Sequence, residues 1–198
     1  MREFNNPWAQ QNRFEFNTWL TLLRAARPRS LLEVGSCLGH SLVMMARCLP
    51  LGSRIVSIDL GIGAGDLKGK DTGRALRDRL DALRAEGYDV HQVIGDSHAP
   101  AIVARASHLG PFDACFIDGD HTFDGVKEDW LNYGRLASIT GLHDIVNASC
   151  DVWQWWDELK KERGRATVEI VGSRMGIGVV YNGVTRGADT GSEFAGWK

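Results

Sequence analysis

The chain has 198 residues, enough for one domain with its own hydrophobic core. It is 43% hydrophobic and 24% charged with a formal net charge of −2, and phosphate binding needs a clustered basic surface, so we expect no nucleic-acid partner. No apolar run reaches the length of a membrane span, and the polar first eleven residues do not resemble a signal peptide.

Hydrophobic periodicity predicts strands that alternate with helices. In chain order we expect a helix over 13–27, a strand over 31–35, a helix over 39–49, a strand over 54–59, a helix over 72–85, a strand over 90–95, a helix over 100–108, a strand over 112–118, a helix over 123–136, a strand over 139–145, a helix over 151–163, and strands over 167–171 and 176–181. Such alternation forms right-handed βαβ units, which predicts an α/β sandwich of three layers around a mostly parallel sheet. The turn-like residues 172–174 predict a closing antiparallel hairpin. We expect a single domain over 1–198, with loose tails at 1–12 and 183–198.

The first predicted strand leads into a helix through a tight, glycine-bracketed corner. Gly35 ends the strand and Gly39 opens the helix, so the corner offers backbone N–H groups and a helix N-terminus to a ligand. The dinucleotide fingerprint Gly-x-Gly-x-x-Gly is absent because Cys37 occupies its second glycine position. Gly35 to Gly39 also fit a cysteine version of a hydrolase nucleophile elbow, but the upstream strands of that fold are missing.

Acids stand at or near the carboxyl ends of the first four predicted strands, namely Glu33, Asp59, Asp96 and Asp118. Ligands of open α/β sheets bind outside these strand ends. Since desolvated carboxylates are costly without partners, four of them in register favour a ligand site over a purely stabilising role. Asp59 follows Gly35 by 24 residues, close to the spacing at which an acid meets ribose hydroxyls. A helix cap or loop acid is the alternative for Asp59.

The corner pattern Glu33-x-Gly35-x-x-x-Gly39 resembles the first motif of class I S-adenosylmethionine (SAM)-dependent methyltransferases, and the resemblance covers about residues 13–181. It implies a Rossmann-like seven-stranded sheet and SAM as cofactor. Gly35 to Gly39 would approach the methionine part, Asp59 would hold the ribose, and Asp96 with Ser97 would lie beside the adenine. The implied cofactor set is Glu33, Gly35, Ser36, Gly39, Ser41, Asp59, Leu60, Gly95, Asp96, Ser97 and Asp118.

The stretch from Phe116 to Thr122, Phe-Ile-Asp-Gly-Asp-His-Thr, is the second motif. It resembles the Ile-Asp-Gly-x-His stretch of a family that includes metal-dependent macrolide sugar O-methyltransferases and cephalosporin-pathway enzymes. The resemblance implies that Asp118 binds a divalent metal and that His121 is the general base, making both residues catalytic. The chemistry agrees, because a carboxylate suits Mg²⁺ and an imidazole titrates near the operating pH. The alternative for His121 is a cap on the following helix.

The third motif, Gly141-Leu142-His143-Asp144-Ile145, resembles the strand end where the same family places an acid pair on the metal. Asp144 matches that pair, whereas His143 replaces the first acid. This departure implies weaker binding of Mg²⁺, a different metal, or a metal-free enzyme. We predict Asp118, Asp144 and His143 as metal ligands, with Mg²⁺ or another divalent ion as the metal.

The predicted helix over 151–163 is rich in tryptophan. Val152, Trp155, Trp156 and Leu159 share one helical face, which predicts that they belong to the core. Trp153 falls off that face, so it lines a substrate pocket, forms a subunit contact or is simply a surface residue.

The motifs together predict a SAM-dependent methyltransferase that methylates a small-molecule hydroxyl with the help of a metal. Two alternatives stay open, a metal-independent methyltransferase acting on N or O and a non-catalytic SAM- or nucleotide-binding module. Four scattered cysteines without a Cys-x-x-Cys pair indicate reduced thiols, and we therefore expect a cytoplasmic protein. We expect no membrane partner, and a homodimer stays open.

Overall fold

The computed structural model describes residues 11–62, 72–162, 166–172 and 175–182. The helices and strands in these ranges follow one another as α1 (Arg13–Ala26), β1 (Ser30–Val34), α2 (His40–Ala46), β2 (Arg54–Asp59), α3 (Thr72–Glu86), β3 (Asp89–Ile94), α4 (Pro100–Leu109), β4 (Ala114–Ile117), α5 (Phe123–Asn132), β5 (Ile139–His143), α6 (Val152–Leu159), β6 (Ala166–Ile170) and β7 (Ile177–Tyr181). A short 3₁₀ helix, Gly134–Leu136, follows α5.

The strands form one seven-stranded sheet in the order β3-β2-β1-β4-β5-β7-β6. Strands β1 to β5 pair in parallel, and β7 pairs antiparallel with both β5 and β6. The predicted sheet with its closing hairpin is therefore confirmed. The chain leaves β1 toward β2 and β3 on one side and returns to β4 on the other, so a crevice opens where β1 and β4 end. Ligands of α/β sheets bind at such a reversal of strand order.

Helices cover both faces of the sheet because neighbouring strand residues point to opposite sides. Leu31 belongs to a hydrophobic cluster with Trp19 of α1 and Leu80 of α3. Its neighbour Leu32 belongs to a second cluster, which contains Trp130 of α5. The strands are thus apolar on both faces, as expected for a parallel sheet between two helical layers.

The tryptophan-rich helix α6 is oriented as its pattern predicted. Val152, Trp155, Trp156 and Leu159 are buried, whereas Trp153 keeps 41% of its surface exposed. Within the described parts of the chain, no helix combines the length and the apolar character that crossing a membrane would need.

Several predicted segments end earlier than expected, among them the helix over 39–49 at Ala46, the strand over 139–145 at His143 and the helix over 151–163 at Leu159. The predicted helix over 123–136 stops at Asn132, because Gly134 begins a tighter turn and its carbonyl accepts a hydrogen bond from Thr140 Oγ1 at 2.7 Å. Of the predicted loose segment 1–12, the structure describes only Gln11 and Asn12, and Asn12 caps α1 by accepting from two backbone N–H groups. The remainder of that segment and the predicted tail over 183–198 lie outside the described residues.

Candidate active site

The corner after β1 packs directly against the loop that follows β4. Gly35 has a φ of +84°, and a Cβ at this position would overlap the backbone carbonyl of Asp118. Backbone hydrogen bonds fix both turns, from Gly35 N to Ile58 O and from Asp118 N to Val34 O, each 2.9 Å long. Only glycine fits this close approach, so the first and second predicted motifs are neighbours in space.

Asp59 connects the loops that follow β1 and β2. Its carboxylate accepts hydrogen bonds from the backbone N–H groups of Cys37 and Gly61, each at 2.7 Å. Burial raises the pKa of Asp59, and these two donors oppose the rise. The loop-acid alternative therefore accounts for part of the role of Asp59. A carboxylate offers about four lone-pair sites, so Asp59 can still accept a hydrogen bond from a ligand hydroxyl.

Glu33 lies within β1 and has no exposed surface. Burial raises its pKa to about 8, although the nearby hydroxyls of Ser41 and Ser36 act in the opposite direction. Neither carboxylate oxygen makes a hydrogen bond, and the Ser36 hydroxyl accepts instead from Ser57 at 2.8 Å. Glu33 thus lies next to the corner serines and away from solvent, and its predicted contact with the cofactor stays a prediction.

The loop after β3 carries the predicted adenine residues and is held by Tyr133, which directly follows α5. Gly95 has a φ of +149°, and a Cβ there would lie 2.6 Å from the side chain of Ile102. The exposed Asp96 accepts from the backbone N–H of His98 at 2.9 Å. The carbonyl of Ser97 accepts from the hydroxyl of Tyr133 at 2.5 Å. These contacts give the loop a defined position beside the crevice.

A buried acid of α5 lies under the same loop. His98 Nε2 is 3.2 Å from Oδ1 of Asp129, which has no exposed surface. Burial raises the pKa of Asp129 to about 6, against the opposing effects of the Ser97 hydroxyl and His98. Leu60, the remaining predicted cofactor residue, is 56% exposed after β2 and offers an apolar surface at the sheet edge.

Four side chains from the second and third motifs converge at the ends of β4 and β5. His143 Nδ1 lies 3.1 Å from Asp118 Oδ1 and 3.3 Å from Asp144 Oδ2. His121 contacts the same two carboxylates, with Nε2 3.5 Å from Asp118 Oδ1 and Nδ1 3.4 Å from Asp144 Oδ2. The structure therefore brings together all four residues predicted for catalysis and metal binding.

The carboxylates change the proton affinity of both imidazoles. Burial alone would lower the pKa of His143, but Asp118 and Asp144 outweigh burial and raise it to about 10. The hydrogen bond to Asp118 is the main cause that raises the pKa of His121. Burial would in turn raise the pKa of Asp118, but the two histidines hold it well below its usual range.

The helix cap proposed as the alternative for His121 belongs to its neighbour. Thr122 is the N-cap of α5, and its Oγ1 accepts from Gly125 N at 3.1 Å. Asp120 supports this turn by accepting from Thr122 N at 2.8 Å. The cap alternative for His121 is wrong, because its imidazole lies with the two carboxylates.

The sequence analysis missed three residues of this cluster. Gln11 Nε2 donates to Asp118 Oδ2 at 2.8 Å, and Asn147 Nδ2 donates to Asp144 Oδ1 at 3.0 Å. Cys150 places its sulfur among donor atoms of His121 and Asp144 that all lie within 4.8 Å of one another. The spacing of Asp144 and Asn147 could have indicated a turn contact, but no local signal links Gln11 to a strand that begins about a hundred residues later.

The donor set of Asp118, His143 and Asp144 fits a metal ion. One donor atom from each residue lies within 4.8 Å of the other two. His143 is only 6% exposed, and neither of its ring nitrogens makes a well-aligned hydrogen bond. Asp144 adopts a φ of +66°, which is rare for a residue with a side chain and concentrates at functional sites.

Comparison with known proteins identifies the family of the chain. A family model described as a methyltransferase domain matches residues 32–160. The chain belongs to this methyltransferase family. Its matched region contains both the corner after β1 and the four-residue cluster.

Two curated relatives and a solved structure are similar to this methyltransferase. A catechol O-methyltransferase of Niastella koreensis is 27% identical over 100 residues, or 50% of this chain and 41% of the relative. A caffeoyl-CoA O-methyltransferase of Stellaria longipes is 23% identical over 137 residues, or 67% of this chain and 50% of the relative. The chain thus spans about half the length of these relatives. The solved structure is the O-methyltransferase TomG from Streptomyces achromogenes, which is involved in tomaymycin synthesis and was solved in complex with SAM. It superposes with a TM-score of 0.66 at 20% identity and covers 91% of this chain and 84% of TomG. This similarity shows the shared fold.

Proposed function

We propose that this methyltransferase transfers a methyl group from SAM to a hydroxyl oxygen of a small molecule, with a divalent metal assisting. The observation that carries the proposal is the contact between Gly35 and Asp118, where a Cβ would overlap the Asp118 carbonyl. The proposed cofactor corner therefore adjoins the cluster in which an acceptor would be deprotonated. Methyl transfer needs these two functions side by side.

The cofactor half of the site lies along the ends of β1, β2 and β3. When bound, SAM supplies an electrophilic methyl group. The corner from Gly35 to Gly39 would receive the methionine part, and Asp59 would accept from the ribose hydroxyls. Asp96 and Ser97, on the loop anchored by α5, would lie beside the adenine. The neighbouring residues assigned to the same half are Glu33, Ser36, Ser41, Leu60 and Gly95.

His121 is the proposed general base. A hydroxyl is a weak nucleophile, and its proton must leave as the oxygen bonds to carbon. We assign that proton to His121 Nε2, while Nδ1 faces Asp144 Oδ2 at 3.4 Å. The side chain is 45% exposed, so an acceptor can reach it from the crevice. Asp118, 3.5 Å from Nε2, would hold the ring and stabilise the imidazolium that forms.

Asp118, Asp144 and His143 are the residues that would hold a metal. When bound, a divalent ion would orient the acceptor hydroxyl and lower its pKa. The buried His143, whose ring nitrogens lack well-aligned hydrogen bonds, supports this assignment. Gln11 and Asn147 would keep the two carboxylates in position, as outer partners of metal ligands commonly do.

A metal-independent methyltransferase is the second candidate, and the composition of the cluster favours it. Two carboxylates face two imidazoles at 3.1–3.5 Å, so their charges can balance without an added ion. In that case His121 would act alone on the acceptor. Dialysis against a chelator separates the candidates, because only the metal-assisted enzyme loses turnover and regains it when metal is returned.

The proposal is tested by incubating the protein with SAM and acceptor probes and measuring methylated product by mass spectrometry. Catechol and caffeoyl-CoA are the first probes, because the names of the two curated relatives contain these compounds. We expect product and S-adenosylhomocysteine (SAH) in equal amounts, with both lost in His121→Ala. A protein that binds SAM in calorimetry but transfers methyl to no hydroxyl in a broad panel would instead be a non-catalytic binding module.

A cytoplasmic location and a homodimer stay predictions. The four cysteines are free in the structure, which agrees with a reducing compartment. The oligomeric state can be measured by light scattering on the purified protein.

A further inference from the structure

We infer that the centre formed by Asp118, His143 and Asp144 selects a transition-metal dication, such as Mn²⁺, Co²⁺ or Zn²⁺, over Mg²⁺. The inference rests on the metal-binding part of the proposed function and not on methyl transfer itself. Three observations carry it: a buried imidazole, two oriented carboxylates and the chemistry of the mixed donor set.

The buried imidazole is His143, the last residue of β5. It is 6% exposed, and its Nδ1 lies within 3.3 Å of one oxygen from each carboxylate. Although these separations are short enough for hydrogen bonds, neither ring nitrogen makes one with acceptable geometry. His143 Nδ1 instead forms ion-pair contacts with both acids, so one ring nitrogen and two carboxylate oxygens converge where a metal ion could replace the proton of the imidazole.

The two carboxylates are held by their outer oxygens. Gln11 donates to Asp118 Oδ2, and Asn147 donates to Asp144 Oδ1. The other oxygen of each acid, Asp118 Oδ1 and Asp144 Oδ2, faces His143 Nδ1. The two amide contacts therefore leave one oxygen of each acid facing the His143 nitrogen, and outer hydrogen bonds of this kind are typical of metal-binding carboxylates.

The chemistry of the three donor atoms decides which class of metal ion the site favours. Mg²⁺ is bound almost wholly by oxygen ligands and waters in octahedral geometry, so an imidazole in place of a carboxylate removes both a preferred donor and a negative charge. Imidazole nitrogen binds first-row transition dications well, with affinity rising along the series from Mn²⁺ to Cu²⁺. A single histidine beside two carboxylates therefore shifts selectivity away from Mg²⁺.

A second donor set competes for the same region and is the less suitable one. It consists of His121, Asp144 and Cys150 and shares only Asp144 with the first. It has one carboxylate instead of two, and Cys150 directs its thiol to the Asn147 carbonyl at 3.5 Å. His121 is moreover 45% exposed, whereas His143 is 6% exposed, so this set lacks the buried imidazole of the first.

The test uses the full chain, stripped with a chelator, and titrates Co²⁺, Mn²⁺ and Mg²⁺ by calorimetry, with the visible absorption of bound Co²⁺ as a second readout. We expect Co²⁺ to bind about 100-fold or more tightly than Mg²⁺. His143→Asp, which places an acid pair at this strand end, should weaken Co²⁺ binding and strengthen Mg²⁺ binding. The ratio of the Co²⁺ affinity to the Mg²⁺ affinity should therefore fall at least tenfold. His108→Gln is the matched control, because His108 is exposed on α4 and bonds within its own helix.

Three results would overturn the inference. Equal or tighter binding of Mg²⁺ by the wild type would leave the proposed function standing and remove the selectivity. Loss of Co²⁺ binding in Cys150→Ser, with His143→Asp unchanged, would place the ion in the second donor set. If none of the three ions binds, the proposed metal site is wrong. Calorimetry with SAH on the same stripped protein tests the cofactor site separately, so failure of the methyltransferase proposal is recognised independently.

Discussion

At the scale of single residues, His121 distinguishes the proposed chemistry from a structural role. Its imidazole contacts both Asp118 and Asp144, and 45% of the side chain remains exposed. Removing a general base typically lowers the rate by about 10²–10⁴-fold. We therefore expect His121→Ala to keep its affinity for SAM while losing turnover by that factor, as measured by calorimetry and product formation.

The neighbouring residue provides the control for His121. Thr122 caps α5, and replacing such a cap with alanine costs about 1 kcal/mol of stability. Thr122→Ala should thus lower the melting temperature with nearly unchanged turnover. If His121→Ala showed this same pattern, His121 would have no place in the mechanism.

Asp59 is the residue on which the cofactor assignment depends. It orders the loops after β1 and β2 through Cys37 and Gly61, and in the proposal it also accepts from the ribose. We expect Asp59→Ala to weaken SAM binding by about 1–3 kcal/mol, the range for a lost charged hydrogen bond. Calorimetry checks this, with Asp89→Ala as control, because Asp89 is half-exposed and pairs with Arg54 on the surface. Equal SAM affinity in both variants would contradict the assignment.

At the scale of elements, the contact between the β1 corner and the β4 loop predicts a difference between two glycines. Gly35 and Gly52 have nearly the same φ, +84° and +80°, but a Cβ at Gly52 would meet nothing within 4 Å. Alanine in a left-handed conformation costs about 1–2 kcal/mol, which both variants should lose. Gly35→Ala must in addition displace the Asp118 backbone, so it should lose more stability and also weaken SAH binding.

Chemical denaturation and calorimetry on the two alanine variants measure this difference. Gly52→Ala serves as the control for backbone strain alone, and its SAH affinity should equal that of the wild type. Equal losses in both variants would show that the corner tolerates a side chain and that the two motifs are not in tight contact.

The elements themselves could be predicted from the sequence because local patterns determine them. Apolar runs gave the strands of the sheet, and acids at their ends, such as Asp59 and Asp118, indicated which edge would bind a ligand. The end of α5 was harder to predict. The predicted helix ran through Gly134 to residue 136, but the Gly134 carbonyl accepts from Thr140 in the following strand, and this tertiary contact favours a turn.

The candidate site could be predicted only in part for a related reason. Asp118, His121, His143 and Asp144 came from two motifs, and the structure brings them within 3.1–3.5 Å. Gln11 was missed because its contact with Asp118 spans 107 residues, and no periodicity records such a contact.

At the scale of the whole molecule, the buried Glu33 should make stability depend on pH. Its pKa is about 8 in the folded protein, against an ordinary value of 4.5. The folded state therefore binds a proton more tightly than the unfolded state does. This contribution to stability is complete below pH 4.5 and is lost as the pH rises through about 8.

Glu33→Gln tests this dependence, because glutamine stays neutral at every pH. The free energy of unfolding of the variant, relative to the wild type, should rise between about pH 4.5 and 8 and level off outside that window. Comparing the two proteins by chemical denaturation cancels other titrating groups, including Asp129 and His143. Parallel stability curves would show that Glu33 is charged in the folded protein.

The central claim is that SAM and an acceptor meet where β1 and β4 end, with the cofactor on the Gly35 corner and the acceptor at His121. A crystal structure with SAH and Co²⁺ tests it most directly. The account predicts the SAH ribose on Asp59, its sulfur facing the loop of Asp118 and His121, and the ion between Asp118, His143 and Asp144. SAH bound elsewhere on the protein, or an empty crevice at saturating SAH, would contradict it.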